Sequence, residues 1–278
     1  MESIEEQKKL AIAELEKLEQ NKITLPRDVF FVPGWTGESC SAWLNSYSPE
    51  NTSMRQWAER IIANWQEKVH FLVFDKISSE KCRSFIDFGK ILYEKIRSCV
   101  NNDSSRFDLI GHSMGGLDIS AAVIYGAIPS DSVGKIMTLG SPFHGAEWGQ
   151  MMKEVGRLSG LFLGVWVVIR LALIKMGYTP YHILQLKNMD PKGKMIKAFN
   201  TKENRIRLLN TIEKLYTFFG TDDDTVKESA LFNGFDIDKG LLDRKLQAVC
   251  IEGATHSGSL GLTQDPRVVL NIVKIISA

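Results

Sequence analysis

The stretch LIGHSMGGLD, residues 109–118, decides the fold. An apolar, strand-like run leads directly into a G-x-S-x-G turn, and residues with helical spacing follow at once. A turn this tight leaves no room for a Cβ at its glycine positions, and its strained backbone pushes the serine hydroxyl out over the end of the strand. Ser113 is therefore the candidate nucleophile, presented on a strand-turn-helix unit.

The helix that opens after Ser113 adds a second chemical feature. Its amide dipoles point towards the turn, which favours negative charge at that place. We therefore expect the Met114 N–H to donate a hydrogen bond to an oxyanion that develops on a bound substrate.

Short apolar runs, rich in β-branched and aromatic residues, recur on both sides of this turn. They are continuous rather than alternating, as expected for strands that are buried on both faces. The runs lie at residues 28–32, 69–74, 107–111, 135–140, 214–220 and 246–253. Segments with helical spacing separate the early runs, so the sequence predicts an α/β protein with a mostly parallel sheet of about six strands and flanking helices.

The alternation of strands and helices is interrupted once. Residues 147–213 contain helix-like segments and no convincing strand, which predicts an all-helical cap inserted between two strands. Residues 2–20 carry apolar residues at near-helical spacing among charges, so we expect an amphipathic helix leaning on the domain. The length of 278 residues suits one domain over residues 1–278 with this insertion.

Composition and charge exclude several classes of function. The 34 basic and 33 acidic residues leave a net charge of +1, so a nucleic-acid surface is not indicated. The apolar run at 161–174 contains Arg170 and falls short of the roughly 20 residues of a membrane span.

The first 20 residues lack the apolar core of a secretory signal, so the cytoplasm is the expected location. Without C-x-x-C spacing the four cysteines are expected to be free thiols, and no metal or other cofactor is expected.

The turn and the segments around it resemble the α/β-hydrolase superfamily, and more narrowly its lipases and carboxylesterases. FFVPGWTG at 30–37 is similar to the oxyanion loop of that family, with Pro33 where lipases usually carry histidine. LGSPFHGA at 139–146 resembles the lipase segment T-P-x-x-G, with Ser141 in place of threonine. The resemblance implies an α/β-hydrolase fold and a second oxyanion donor, the N–H of Trp35.

A serine hydroxyl is a poor nucleophile until a base takes its proton, so a histidine partner is required. His256 lies in a glycine-rich loop between the last strand and the last helix, where this superfamily keeps its base, and THSGSLGLTQDP resembles the histidine loop of lipases. His144 follows a strand end and is a second candidate. We expect the other three histidines to be structural, with the His112 ring facing away from the site: His70, His112 and His182.

The base in turn needs a carboxylate to hold its tautomer. In this superfamily the acid lies between the nucleophile and the base in the chain, at the end of a strand. Three consecutive aspartates, Asp222, Asp223 and Asp224, follow the strand-like run at 214–220. Lipases and esterases commonly show G-x-x-D-x-x-V after this strand, and that spacing selects Asp223, with Asp222 as the second choice.

The resemblance implies a serine hydrolase that cleaves small-molecule or lipid esters through an acyl-enzyme. Because the sequence shows no signal for export to a lipid surface, we expect a preference for short to medium acyl chains. The apolar segment of the cap is either an ordinary buried helix or a lid that contacts a lipid interface. Two alternatives remain open. In the first, the chain is a Mg²⁺-dependent phosphatase with Asp222 as nucleophile, because the DDDTV segment is similar to the D-x-D-x-[TV] motif of haloacid-dehalogenase-type phosphatases. In the second, the chain is a non-catalytic binding protein of hydrolase fold. Asp265 could hold a structural Ca²⁺, although capping of the last helix explains this residue better.

Overall fold

The structure, a computed structural model, describes residues 2–34, 41–44, 52–74, 85–100, 106–146, 189–226, 232 and 237–278. Within these ranges six strands form one parallel sheet in the order β2-β1-β3-β4-β5-β6. The strands are β1 Asp28–Val32, β2 Val69–Phe71, β3 Phe107–His112, β4 Val133–Leu139, β5 Lys214–Gly220 and β6 Leu246–Ile251. The predicted α/β class with a six-stranded parallel sheet is confirmed.

Helices cover the sheet on both faces. The described helices are α1 Ile4–Gln20, α2 Ser41–Leu44, α3 Met54–Ile61, α4 Trp65–Lys68, α5 Phe85–Cys99, α6 Met114–Ile124, α7 Lys194–Phe199, α8 Lys202–Thr211, α9 Lys239–Lys245 and α10 Pro266–Ser277. Helices α5, α6 and α8 share one apolar core with the sheet, and α1, α3 and α10 share the other. Two buried faces explain why the strands read as continuous apolar runs.

The start of the N-terminal helix α1 is stabilised by local hydrogen bonds. The Ser3 side chain accepts a hydrogen bond from the Glu6 N–H, and the Glu6 carboxylate accepts one from the Ser3 N–H, so two of the free N–H donors at the helix start are satisfied. Ala11 and Leu15 are buried against the domain, where α1 packs on α10. The helix is therefore held both by its cap and by an apolar stripe.

The expected helical insertion is described only in its later part. Helix α8 packs against α6, and Leu208 and Leu209 are buried in the core, so this part lies with the flanking helices of the sheet. Residues 147–188 are outside the described ranges. The residues on either side of that segment are in contact, because the Ala146 N–H donates to the Met189 carbonyl at 2.9 Å.

In the described ranges, no helix has both the length and the apolar character needed to cross a membrane. The two cysteines within those ranges, Cys99 and Cys250, are free thiols exposed to solvent.

Candidate active site

The nucleophile turn has the geometry that its sequence predicts. Strand β3 ends at His112, α6 begins at Met114, and Ser113 between them adopts φ 53° and ψ −126°. Among the described residues it is the one non-glycine position with positive φ. The Ser113 N–H donates to the Leu139 carbonyl at the end of β4, at 2.8 Å, which fixes the strained turn to the neighbouring strand.

The glycines of the motif are required by close approach of backbone to backbone. A Cβ on Gly111 would lie 2.5 Å from the Gly116 nitrogen, and a Cβ on Gly115 would lie 2.4 Å from the Pro33 carbonyl oxygen. A side chain at either position would push α6 away from the strands beneath it. The serine would then lose its position over the edge of the sheet.

Ser113 forms a continuous chain of hydrogen bonds with the predicted base and acid. The Ser113 hydroxyl lies 3.0 Å from Nε2 of His256, and Nδ1 of His256 lies 2.9 Å from Oδ2 of Asp223. With the proton on Nδ1, the imidazole donates to the carboxylate and accepts from the serine hydroxyl. All three residues follow the carboxyl ends of parallel strands, so the sheet brings them to one edge.

The three consecutive aspartates have different surroundings. Asp223 is 1% exposed, whereas Asp222 and Asp224 are exposed to solvent. Oδ1 of Asp223 accepts from the Thr225 and Val226 N–H groups at 2.9 and 3.0 Å, which leaves Oδ2 for the histidine. The middle carboxylate is thus the one that the structure brings into the site.

Opposing effects act on the pKa of the Asp223 carboxyl. Burial raises this pKa, while the hydrogen bond and charge of His256 and the two backbone N–H donors lower it. The net pKa lies below the usual value for aspartate, so Asp223 is ionised at neutral pH and remains an acceptor for the imidazole.

One of the two predicted oxyanion donors is described. Met114 is the first residue of α6, so its N–H has no acceptor within the helix and is available at the turn. The loop after β1 approaches the same place, because a Cβ on Gly34 would lie 3.1 Å from the Ser113 Cβ. Trp35, the other predicted donor, lies outside the described residues, and its role stays a prediction.

Gly140 has a role in the site that the sequence analysis missed. It follows β4 with φ 55°, and a Cβ there would lie 3.0 Å from Nδ1 of His256 and 3.1 Å from Oδ2 of Asp223. Its N–H donates to the Phe218 carbonyl at 2.8 Å, so the backbone is fixed in this position. The signal in the sequence was a glycine placed directly after a strand that leads to the predicted site.

His112 lies differently from the expectation. Its ring was expected to face away, but its Nε2 lies 3.0 Å from the backbone carbonyl oxygen of His256, and the two ring centroids are 5.0 Å apart. The loop that carries His256 folds over the end of β3 and reaches the His112 ring, a contact that the sequence of the turn alone does not reveal. Burial lowers the pKa of His112 to about 3, so this imidazole is neutral.

The remaining histidines are not partners of Ser113 in the described structure. His70 lies beside Asp28, with 2.9 Å between Nε2 and Oδ1, and stacks on Phe30. His182 is outside the described residues. The imidazole that contacts the serine is that of His256 rather than that of His144.

The carboxylate of Asp265 is engaged by a neighbouring cation. Oδ1 accepts from the Arg267 N–H and Nε, and Oδ2 accepts from Arg267 Nη2 at 2.7 Å. Asp265 is also the N-cap of α10, which favours a role in capping the helix over a role as a Ca²⁺ ligand. Within the described ranges, His, Cys, Asp and Glu side chains form no group of three that could hold a metal ion.

With this geometry in view, the chain can be compared with known proteins. The model of the family described as PGAP1-like alpha/beta domain matches residues 27–154, slightly under half of the chain, including the Ser113 turn. No curated protein sequence matches.

Solved structures match over nearly the whole chain. The mature lipase BlEst2 of Bacillus licheniformis has 17% identity and a TM-score of 0.55, over 91% of this chain and 92% of that one. A serine hydrolase of Cycloclasticus zankles has 15% identity and a TM-score of 0.52, over 92% and 90%. Phospholipase PlaB of Legionella pneumophila has 14% identity and a TM-score of 0.60, over 91% and 60%, so this chain spans under two thirds of that protein. At such identities the likeness is one of fold, and the chain has the fold of the α/β-hydrolase superfamily, as the resemblance of its sequence predicted.

Proposed function

We propose that this chain is a serine hydrolase that cleaves carboxylic esters through an acyl-enzyme. The observation that carries the proposal is the unbroken series of hydrogen bonds from the Ser113 hydroxyl through His256 to Asp223. A nucleophile, a base and a group that orients the base are the parts that this chemistry requires.

The first half of the reaction forms the acyl-enzyme. Ser113 Oγ attacks the ester carbonyl carbon as its proton moves to Nε2 of His256. The carbonyl oxygen becomes an oxyanion, which accepts hydrogen bonds from the Met114 N–H and, by analogy with lipases, from the Trp35 N–H. When the tetrahedral intermediate collapses, the alcohol leaves with the proton from Nε2 and the acyl group stays on the serine.

The second half returns the enzyme to its starting form. Water gives a proton to Nε2 of His256 and attacks the acyl carbon. Collapse of the second tetrahedral intermediate releases the carboxylic acid, and Ser113 Oγ takes the proton back from Nε2. Asp223 remains ionised throughout and stabilises the imidazolium that forms in each half.

The proposed substrates are esters with short to medium acyl chains. The resemblance to lipases and carboxylesterases and the similarity of fold to the lipase BlEst2 support an ester substrate. The hydrogen bond from the Ala146 N–H to the Met189 carbonyl joins two points of the chain that are far apart in sequence, which supports the predicted helical cap over residues 147–213. We propose that this cap covers Ser113 and contacts the acyl chain of the substrate.

The geometry does not favour the phosphohydrolase alternative. Asp222, its nucleophile, is exposed and accepts a hydrogen bond from the adjacent Thr221 hydroxyl at 3.0 Å. Asp223 points to His256 instead of sharing a site with its neighbours. A non-catalytic binding protein would have no need for the strained φ of Ser113 together with an aligned base.

A series of p-nitrophenyl esters from acetate to palmitate tests the proposal. We expect the highest kcat/KM at short to medium chain length, no jump in rate above the aggregation point of the substrate, and no effect of excess chelator. Ser113→Ala is the matched control and should be inactive. Folded protein that hydrolyses none of the esters would contradict the proposal, as would turnover of phosphate esters that depends on Mg²⁺.

A further inference from the structure

We infer that His112 is a positioning residue for the reaction, which holds the backbone of His256 by donating its Nε2–H to the His256 carbonyl oxygen. The inference rests on the proposed function and deepens it. The two atoms are 3.0 Å apart, and His112 is almost fully buried, so the hydrogen bond is shielded from water.

The histidine loop needs such a connection because most of its hydrogen bonds are internal. The Thr255 N–H donates to the Leu260 carbonyl at 3.0 Å, and the Leu262 N–H donates to the Thr255 carbonyl at 3.1 Å. These bonds close the loop on itself but do not join it to the nucleophile turn. In the described structure the turn and His256 are joined by the Ser113 hydroxyl and by the His112 ring.

The bond from Ser113 cannot maintain the position of His256 during turnover. It is lost when the serine proton moves to Nε2, and the imidazolium must then face the leaving group. The bond from His112 goes to a backbone carbonyl that takes no part in the chemistry. It therefore persists while the side chain of His256 changes partners.

The environment of His112 keeps it a neutral donor. Burial and the charge of the nearby His256 lower its pKa to about 3, although the hydrogen bond to the His256 carbonyl and the Asp223 charge act in the opposite direction. A lysine or arginine in this place would put a positive charge close to the imidazolium that forms on His256 and would disfavour it. A neutral imidazole fixes the backbone without opposing protonation of the base.

The orientation of the His112 ring is itself fixed by packing. Trp43 contacts it edge to face, with centroids 6.1 Å apart, and a Cβ on Gly34 would lie 3.5 Å from its Nδ1. A ring held in one orientation donates in one direction, so the position of the His256 carbonyl is determined by the end of β3.

The test compares His112→Phe, which keeps an aromatic ring without a donor, with His112→Gln, which keeps an N–H donor of similar reach. With a p-nitrophenyl ester, His112→Phe should lower kcat by about 10-fold, as expected for one buried hydrogen bond, and leave KM within about twofold. His112→Gln should recover most of the loss. His70→Phe removes a histidine hydrogen bond far from Ser113 and should leave kcat unchanged.

Four results would overturn the inference. The first is an active wild-type protein together with a folded His112→Phe variant of equal kcat. The second is a His112→Gln variant no better than His112→Phe at equal thermal stability. If His112→Phe does not fold, His112→Asn replaces it, because the amide donor of asparagine is one methylene too short to reach the His256 carbonyl. A His112→Asn variant with the same kcat as His112→Gln would then overturn the inference. A folded wild-type protein that neither hydrolyses esters nor reacts with a phosphonate overturns the proposed function and this inference with it.

Discussion

In the described part of the chain, two histidine–aspartate pairs of nearly equal geometry lie at opposite ends of the sheet. At the carboxyl end, Nδ1 of His256 lies 2.9 Å from Asp223. At the amino end of β1, Nε2 of His70 lies 2.9 Å from Asp28, whose other oxygen accepts from Lys68 at 3.0 Å. The contact between imidazole and carboxylate is the same in both, but the surroundings differ.

The difference shows that the function of a histidine–aspartate pair depends on what lies beside the imidazole nitrogen that is not bonded to the carboxylate. In the first pair the carboxylate takes Nδ1, so Nε2 is left for the Ser113 hydroxyl. In the second pair the carboxylate takes Nε2, the ring stacks on Phe30, and the described structure places no nucleophile beside it. The first pair fits a catalytic base, and the second fits an anchor between neighbouring strands.

The largest expected effect separates the two carboxylates. Asp223→Asn should lower kcat by about 10⁴-fold, because the amide favours the wrong imidazole tautomer and cannot stabilise the imidazolium. Asp28→Asn, the matched change in the other pair, should leave kcat within about twofold. Initial rates of ester hydrolysis at saturating substrate measure both, and circular dichroism checks folding. If Asp222→Asn proved more damaging than Asp223→Asn, the acid would be the wrong one.

A smaller effect is expected when the space around the first pair is filled. Gly140→Ala places a methyl group about 3 Å from both members of the pair and should lower kcat by roughly 100-fold through displacement of the base. Gly126→Ala is the matched control, since Gly126 has φ 73° but no atom near a new Cβ. Both variants should lose about 1 to 2 kcal/mol of stability from backbone strain. Equal kcat in the two variants would show that Gly140 matters only for its backbone.

The acid stability of the protein offers a third comparison. The folded-state pKa of Asp223 lies below the usual value for aspartate. The ionised carboxylate therefore stabilises the fold fully above about pH 4, which is the pKa of an aspartate in the unfolded chain. That contribution should disappear as the pH falls through the folded-state pKa. The free energy of unfolding of Asp223→Asn should therefore change less between pH 7 and acid pH than that of the wild type. Denaturant titrations at several pH values measure this, and parallel curves for the two proteins would contradict it.

The smallest effect is expected at the second pair. His70→Phe should leave kcat unchanged and lower the free energy of unfolding by about 1 kcal/mol, the value of one partly buried charge-assisted hydrogen bond. Thermal unfolding followed by circular dichroism is sufficient. A large loss of activity in a well-folded His70→Phe protein would show that the two ends of the sheet are coupled.

The bounds of a strand were predicted correctly where the whole apolar run pairs with a neighbouring strand. The bounds of β1 and β5 match the apolar runs that predicted them. The run at 69–74 pairs only as Val69–Phe71, because β1 gives way to Pro33, which has no N–H to extend the ladder. A run of apolar residues predicts that a strand forms, but its end depends on a neighbour distant in sequence.

The site shows the same division. The sequence could predict that Ser113, Asp223 and His256 lie together. The Ser113 motif is local, and each of the other two residues follows a strand at a spacing typical of this fold. Gly140 and His112 could not be predicted in the same way. Their importance lies in contacts between the ends of different strands and the histidine loop, which only the folded chain brings together.

Covalent labelling with a p-nitrophenyl phosphonate, followed by mass spectrometry of the intact and digested protein, tests the central claim most directly. We expect one adduct per chain on Ser113, none in Ser113→Ala, a labelling rate slowed by orders of magnitude in Asp223→Asn, and the wild-type rate in Asp28→Asn. An adduct that persists in folded Ser113→Ala, or equal labelling rates in the two aspartate variants, would contradict it.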